Sequence, residues 1–135
     1  MIPSIQGSMP TRTGGLFGFQ VFVVEDELLT SLMLEDMLAE FGCILAGVAA
    51  TVDEALTRIL TTPEIDAAIL DVNIAGRTIF PVADILVERH VPFVFSTGNP
   101  SPELARRYPA SRLLAKPYAP EALAEVLRDF AFDPP

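Results

Sequence analysis

Lysine is almost missing from this chain. Nine residues are basic, and Lys116 alone among them is a lysine. A compact ammonium on a flexible stem does what a planar guanidinium cannot, so a site that keeps one amid arginines is a candidate for function. Other scarcities exclude whole classes. Cys43 has no partner in the sequence, which rules out an internal disulfide and a cysteine-rich metal site. That fits a reducing compartment, and the cytoplasm is the expectation. His90 is also single, so neither a histidine-pair metal site nor a histidine-relay hydrolase is easily built. It is expected as a solvated residue at a helix end, where its charge suits the dipole. No apolar run reaches the roughly 20 residues needed to span a bilayer. No window is densely basic, and the net charge is −9. Such a surface repels polyanions, so neither nucleic acid nor an anionic membrane is expected as a partner.

What is present describes one domain of ordinary size. The chain has 135 residues, half of them hydrophobic. The opening 18 residues are rich in Gly, Pro, Ser and Thr and lack the charged-then-apolar order of a secretory signal. They read as a disordered leader, with "GSM" at 7–9 a candidate expression remnant; the folded domain is expected over 19–133.

Strand and helix signals alternate five times. "FQVFVV" (19–24) is apolar on both faces, as in a buried parallel strand. The next segment carries Leu28, Leu32, Met33, Leu34, Met37, Leu38 and Phe41 at helical spacing and stops at Gly42. "CILAGVAA" (43–50) is the second strand. Thr51 and Glu54 have capping-box spacing at the start of a second helix. "IDAAIL" (65–70) is the third strand, Pro81 suits the first turn of the third helix, and "VPFVFS" (91–96) is the fourth strand. "SPELARRYP" is at most a short helix, cut by Pro109. "SRLLA" (111–115) is a short fifth strand, and the last helix presents Leu123, Val126, Leu127 and Phe130 on one face. The alternation predicts an α/β fold: a doubly wound, five-stranded parallel sheet with helices on both faces.

In such sheets ligands bind beyond the carboxyl ends of the strands. Those ends carry chemistry here: Glu25, Asp26 and Glu27 after the first strand, Asp71 after the third, Ser96, Thr97 and Gly98 at the fourth, and Lys116 after the fifth. Clustered carboxylates repel unless a cation relieves them. Magnesium takes oxygen ligands and keeps several waters, so Glu25, Asp26 and Asp71 suit it. A carboxylate beside it can act as a nucleophile and become an aspartyl phosphate. The transferred group then needs positive charge and hydrogen-bond donors, which Lys116 and the Thr97 hydroxyl can supply. Each signal alone has a bland reading: the acids as a helix cap, the threonine as turn chemistry. Their conjunction at one end of successive strands is the specific observation.

In this order, the residues resemble the receiver domain of two-component response regulators, from about residue 19 to 132. "VVEDE" is similar to the family's first-strand acidic pair, carried by Glu25 and Asp26. "AILDVNI" is similar to the phosphoacceptor strand, with Asp71 as acceptor and Asn73 offering its backbone carbonyl to magnesium. "FST" places Thr97 at the switch hydroxyl, and "AKP" places Lys116 at the phosphate-binding lysine, with a cis bond to Pro117 expected. The resemblance implies a flavodoxin-like strand order of 2-1-3-4-5. It also implies a histidine kinase or histidine phosphotransfer protein as partner, and a possible downstream protein target. There are departures. The loop after Asp71 lacks the family's usual proline, and Leu113 stands where many members have an aromatic residue. "PFVFSTG" resembles an atypical, mainly alphaproteobacterial subgroup marked by a Phe-Ala-Thr-Gly type fourth-strand end and a poorly formed fourth helix; Ser96 replaces its alanine. Three prolines and a glycine in "GNPSPELARRYP" fit a short or disordered helix.

The expectation is therefore a stand-alone receiver that is phosphorylated on Asp71 and slowly dephosphorylates itself, without metabolic turnover. Three rivals stand beside it. A metal-dependent phosphatase with an aspartate nucleophile usually carries a second acid two positions on, where this chain has Asn73. A pseudo-receiver, binding partners without phosphorylation, usually loses at least one of Glu25, Asp26, Asp71, Thr97 and Lys116. A receiver fragment of a hybrid kinase is the third.

Overall fold

The computed structural model describes residues 13–132. The "GSM" at 7–9, most of the expected leader and the last three residues lie outside the described residues. In chain order the elements are β1 (Gln20–Val24), α1 (Leu28–Phe41), β2 (Ile44–Ala49), α2 (Val52–Thr61) and β3 (Ala67–Asp71). A small hairpin follows, β4 (Asn73–Ile74) and β5 (Arg77–Thr78). Then come α3 (Phe80–Glu88), β6 (Phe93–Thr97), α4 (Pro102–Arg107), β7 (Arg112–Ala115) and α5 (Pro120–Phe132). Five parallel strands form one sheet in the order β2-β1-β3-β6-β7. This is the flavodoxin-like order expected from the sequence, with the hairpin inserted between its third and fourth strands.

Alternation along each strand divides the interior into two layers. Phe22, Val24, Ala68, Leu70, Phe93 and Phe95 face α2 and α3, against Ala55, Ile59, Val82 and Leu86. Val21, Val23, Ala67, Ile69 and Val94 face α1 and α5, against Leu34, Leu38, Leu123 and Leu127. Because β1 and β3 are covered on both faces, their interiors are apolar and the acids come only at their carboxyl ends, which places them at the rim.

The caps follow local chemistry. The Thr51 hydroxyl accepts from the Glu54 N–H, and the Glu54 carboxylate accepts from the Ala50 N–H, one residue beyond the capping-box partner. Gly42 ends α1 at φ 85, a left-handed value at which a side chain would be strained. His90, exposed just after α3, takes the same kind of conformation at φ 59. Helix α4 is six residues long, and Leu104 is its buried residue.

The apolar positions of α1 do not all face the sheet. Its inward face is Ser31, Leu34 and Leu38, while Leu28, Leu29, Leu32 and Met33 are exposed. By helical spacing Leu29, Leu32 and Met33 fall on the side of α1 away from Ser31, Leu34 and Leu38, with Leu28 on its flank. The packed chain also begins before residue 19. Thr13–Leu16 forms a 3-10 turn, and Leu16 is 2% exposed among the residues of α1 and α5. A glycine-rich neighbourhood hid this one core leucine from a compositional reading. Among the described residues no helix is long and apolar enough to cross a membrane.

Candidate functional site

The acids converge because β1 and β3 are adjacent and in register, Val24 pairing with Leu70. Their next residues, Glu25 and Asp71, therefore stand side by side at the strand ends. One carboxylate oxygen from each of Glu25, Asp26 and Asp71 lies within 4.8 Å of the others. Lys116 enters from β7. Its backbone N–H donates to the Thr97 carbonyl at 2.8 Å, which continues the β6–β7 pairing past the strand end. Its ammonium donates to Glu25 Oε1 at 3.0 Å and to Asp71 Oδ2 at 3.1 Å. The Lys116–Pro117 bond is cis.

Burial sets the electrostatics. Glu25 is 3% exposed. Burial pushes its carboxyl up; the Lys116 and Glu27 hydrogen bonds offset part of this, and the Asp71 charge adds to it. Burial works to lower Lys116, but its hydrogen bonds to Glu25 and Asp71, with their charges, outweigh that and hold the ammonium above its ordinary range. The Glu25 Oε2 atom accepts the Glu27 N–H, so this acid does anchor the residue preceding α1. Glu27 itself makes no side-chain cap. The bland cap reading thus accounts for one oxygen of the three acids and leaves the convergence unexplained.

Thr97 closes β6 with its side chain buried, and its hydroxyl accepts from the Asn99 N–H at 3.1 Å. It lies one residue beyond Ser96, the register partner of Asp71. Asn73 donates its N–H toward Asp71 Oδ1 at 3.4 Å. Every residue singled out at the strand ends thus sits on the same rim, with the carboxylates and the lysine in one cluster and Thr97 beside it.

Three features escaped the sequence reading. The Ser96 hydroxyl is buried with no hydrogen-bond partner among the described residues. The β4–β5 hairpin touches the cluster, its Ala75 N–H donating to Asp26 Oδ2 at 2.9 Å. Its Ala-Gly turn lacks the Asn-Gly or Asp-Gly signal that would have announced it. Tyr108, after α4, supplies the aromatic mass that Leu113 does not. Its ring centroid lies 5.3 Å from Phe95 and 5.4 Å from Phe80, and its phenol donates to Asp84 Oδ1.

No protein-family model matches the chain, and neither does any curated protein. Solved structures do. SdrG from Sphingomonas melonis Fr1 is 39% identical over 84% of this chain and 94% of its own, with a TM-score of 0.72. The response regulator PhyR from Brucella abortus superposes at a TM-score of 0.78 with 24% identity over 90% of this chain, which spans about half (51%) of PhyR's length. A response regulator receiver protein from Sinorhizobium medicae WSM419 also reaches 0.78, at 20% identity, over 87% of this chain and 98% of its own. The last two share the fold; SdrG is also identical at more than a third of the aligned positions. With the strand order, the acidic rim and these neighbours in agreement, the chain belongs to the receiver-domain family of response regulators.

Proposed function

We propose that the chain accepts a phosphoryl group on Asp71 from a phosphohistidine of a histidine kinase or phosphotransfer protein. Glu25, Asp26, Asp71 and the Asn73 carbonyl would hold Mg²⁺. The observation that carries this reading is the single ammonium shared between Glu25 and Asp71 within a cluster of three carboxylates. The donor set is all oxygen, which fits a hard divalent cation. When bound, that ion supplies charge neutralisation between the incoming phosphoryl oxygens and the carboxylates. Asp71 attacks phosphorus as the donor's P–N bond breaks. Lys116 then exchanges a carboxylate partner for a phosphoryl oxygen, and the Thr97 hydroxyl, at the end of β6, turns toward another. In the resting state Lys116 is held by Glu25 and Asp71, and the Thr97 hydroxyl by the Asn99 N–H, so their release is what changes the conformation.

Leu28, Leu29, Leu32 and Met33 of α1 are exposed, and Met33 lines a cleft of about 380 Å³ together with Leu34, Met37, Lys116, Pro117 and Tyr118. A donor helix carrying the phosphohistidine docks there in this reading, and the face of α4, β7 and α5 remains for a downstream protein. Residues 98–109 reorder on phosphorylation. The six-residue α4, with Leu104 its buried residue, supports this, and the change has to carry or break the packing of Tyr108 on Phe80 and Phe95. SdrG itself has been described in a BeF3-activated conformation.

The test is Mg²⁺-dependent labelling by a small phosphodonor, or beryllofluoride binding, in the wild type and in Asp71→Asn. Labelling is expected in the first and absent in the second. Equal labelling of Asp71→Asn refutes the acceptor, and a wild type that takes neither reagent points to the pseudo-receiver. Amide exchange over 98–109 should change with beryllofluoride; no change removes the reordering.

A further inference from the structure

The β4–β5 hairpin is tied to the acidic cluster at two points. At its base the Asn73 N–H approaches Asp71 Oδ1 at 3.4 Å, a long contact. At its tip the Ala75 N–H donates to Asp26 Oδ2 at 2.9 Å, bridging 49 positions of sequence. The tip has an unusual backbone. Ala75 has φ 51 and Gly76 φ 82, so both central residues of the two-residue turn are left-handed. Glycine adopts this freely and alanine does not. The turn persists because its flanks are fixed: Ile74 and Ile79 are fully buried, and Arg77 reaches Asp53 at 3.1 Å.

The oxygens of the cluster can be followed one by one. Glu25 gives Oε1 to Lys116 and Oε2 to the Glu27 N–H. Asp71 gives Oδ2 to Lys116 and Oδ1 to the Asn73 N–H. Asp26 gives Oδ2 to Ala75. Among the described residues, Asp26 Oδ1 is therefore the carboxylate oxygen of this cluster that accepts no hydrogen bond. We propose that the hairpin is a positioning element for cation binding: the Ala75 amide fixes the orientation of the Asp26 carboxylate and so presents Oδ1 to a hard divalent cation. The inference rests on the magnesium reading above and extends it to a segment with no ligand side chain of its own. Ala75 acts through its N–H, and Gly76 makes the turn that aims it. Linkage makes the effect mutual, so the cation steadies the hairpin as much as the hairpin favours the cation.

Two variants and one wild-type measurement test this in the full chain. Gly76→Val places a branched side chain at a left-handed position and distorts the turn without altering a carboxylate. Ala75→Gly keeps the N–H and relieves the backbone. Mg²⁺ affinity is read by calorimetry, and exchange of the Ala75 amide is followed by NMR with and without Mg²⁺. Gly76→Val is expected to weaken Mg²⁺ binding about tenfold, the lower end of the effect of groups that orient metal ligands. Ala75→Gly should bind at least as tightly as the wild type, and the wild-type Ala75 amide should exchange more slowly once Mg²⁺ is bound. Unchanged affinity in Gly76→Val with a loosened hairpin overturns the inference. So does a wild-type Ala75 amide that ignores bound Mg²⁺, a result that needs no variant to fold. A wild type that binds no Mg²⁺ removes the metal reading itself and this inference with it.

Discussion

In the proposed site Lys116 would act through shape as well as charge. Its ammonium sits between Glu25 Oε1 and Asp71 Oδ2, a point donor serving two acceptors on different strands. Arginine would bring a rigid planar fork to a site arranged for a point. Lys116→Arg is therefore expected to retain slow labelling of Asp71 but lose the conformational response. Beryllofluoride-induced amide shifts over 98–109 check this, and wild-type shifts in the variant would contradict it. Tyr108 offers a second test at this scale. Burial, then its bond to Asp84, pushes its phenol up to about 12, and burial raises Tyr118 as well. A folded pKa above the unfolded value means stability that is complete below the ordinary phenol range and lost as pH rises through the folded value. Tyrosinate absorbance should thus be small in the folded protein at pH 10, and the melting temperature should fall as pH climbs from about 10 toward 12. Tyr108→Phe should flatten that fall and cost about 1 kcal/mol at neutral pH, the usual contribution of a hydrogen bond.

Elements were legible where their pattern was long or doubled. The three central strands, β1, β3 and β6, are buried apolar runs, and Glu25, Asp71 and Thr97 stand at or just past their ends, so fold and rim could be read together. The inward face of α1 could not, because leucine and methionine surround its first turns and the position facing the sheet is Ser31. The hairpin escaped because two residues per strand are too few for a period and its turn is Ala-Gly. The role of its amide toward Asp26 depends on a contact between segments that no local pattern relates. Leu16 escaped for a similar reason: it is one apolar residue in a glycine-rich stretch, and its burial comes from α1 and α5. Leu16→Ala should cost about 2–5 kcal/mol, as for other fully buried leucines, read as a lowered denaturation midpoint. A variant as stable as the wild type would show that the segment before β1 contributes nothing to the core.

Across the whole molecule the dominant feature is an acidic surface, with a net charge of −9, and a carboxylate cluster at one rim. A cation that binds only the folded cluster must stabilise it by mass action. Mg²⁺ at about a hundred times its dissociation constant should add about 2.7 kcal/mol, visible as a raised melting temperature. Asp26→Asn should lose most of that increment, and an equal rise in the variant would mean that the ion acts on overall charge. The strand order has a further consequence, for synthesis. Glu25 and Lys116 are 91 positions apart, and the lysine belongs to the segment that follows the outermost strand of the sheet. A chain emerging from the ribosome presents all three acids before their counter-charge exists. Until β7 is laid down, the rim's three carboxylates repel one another unopposed; the last strand of the sheet to be made brings the ammonium that offsets one of them and leaves the rest to a cation.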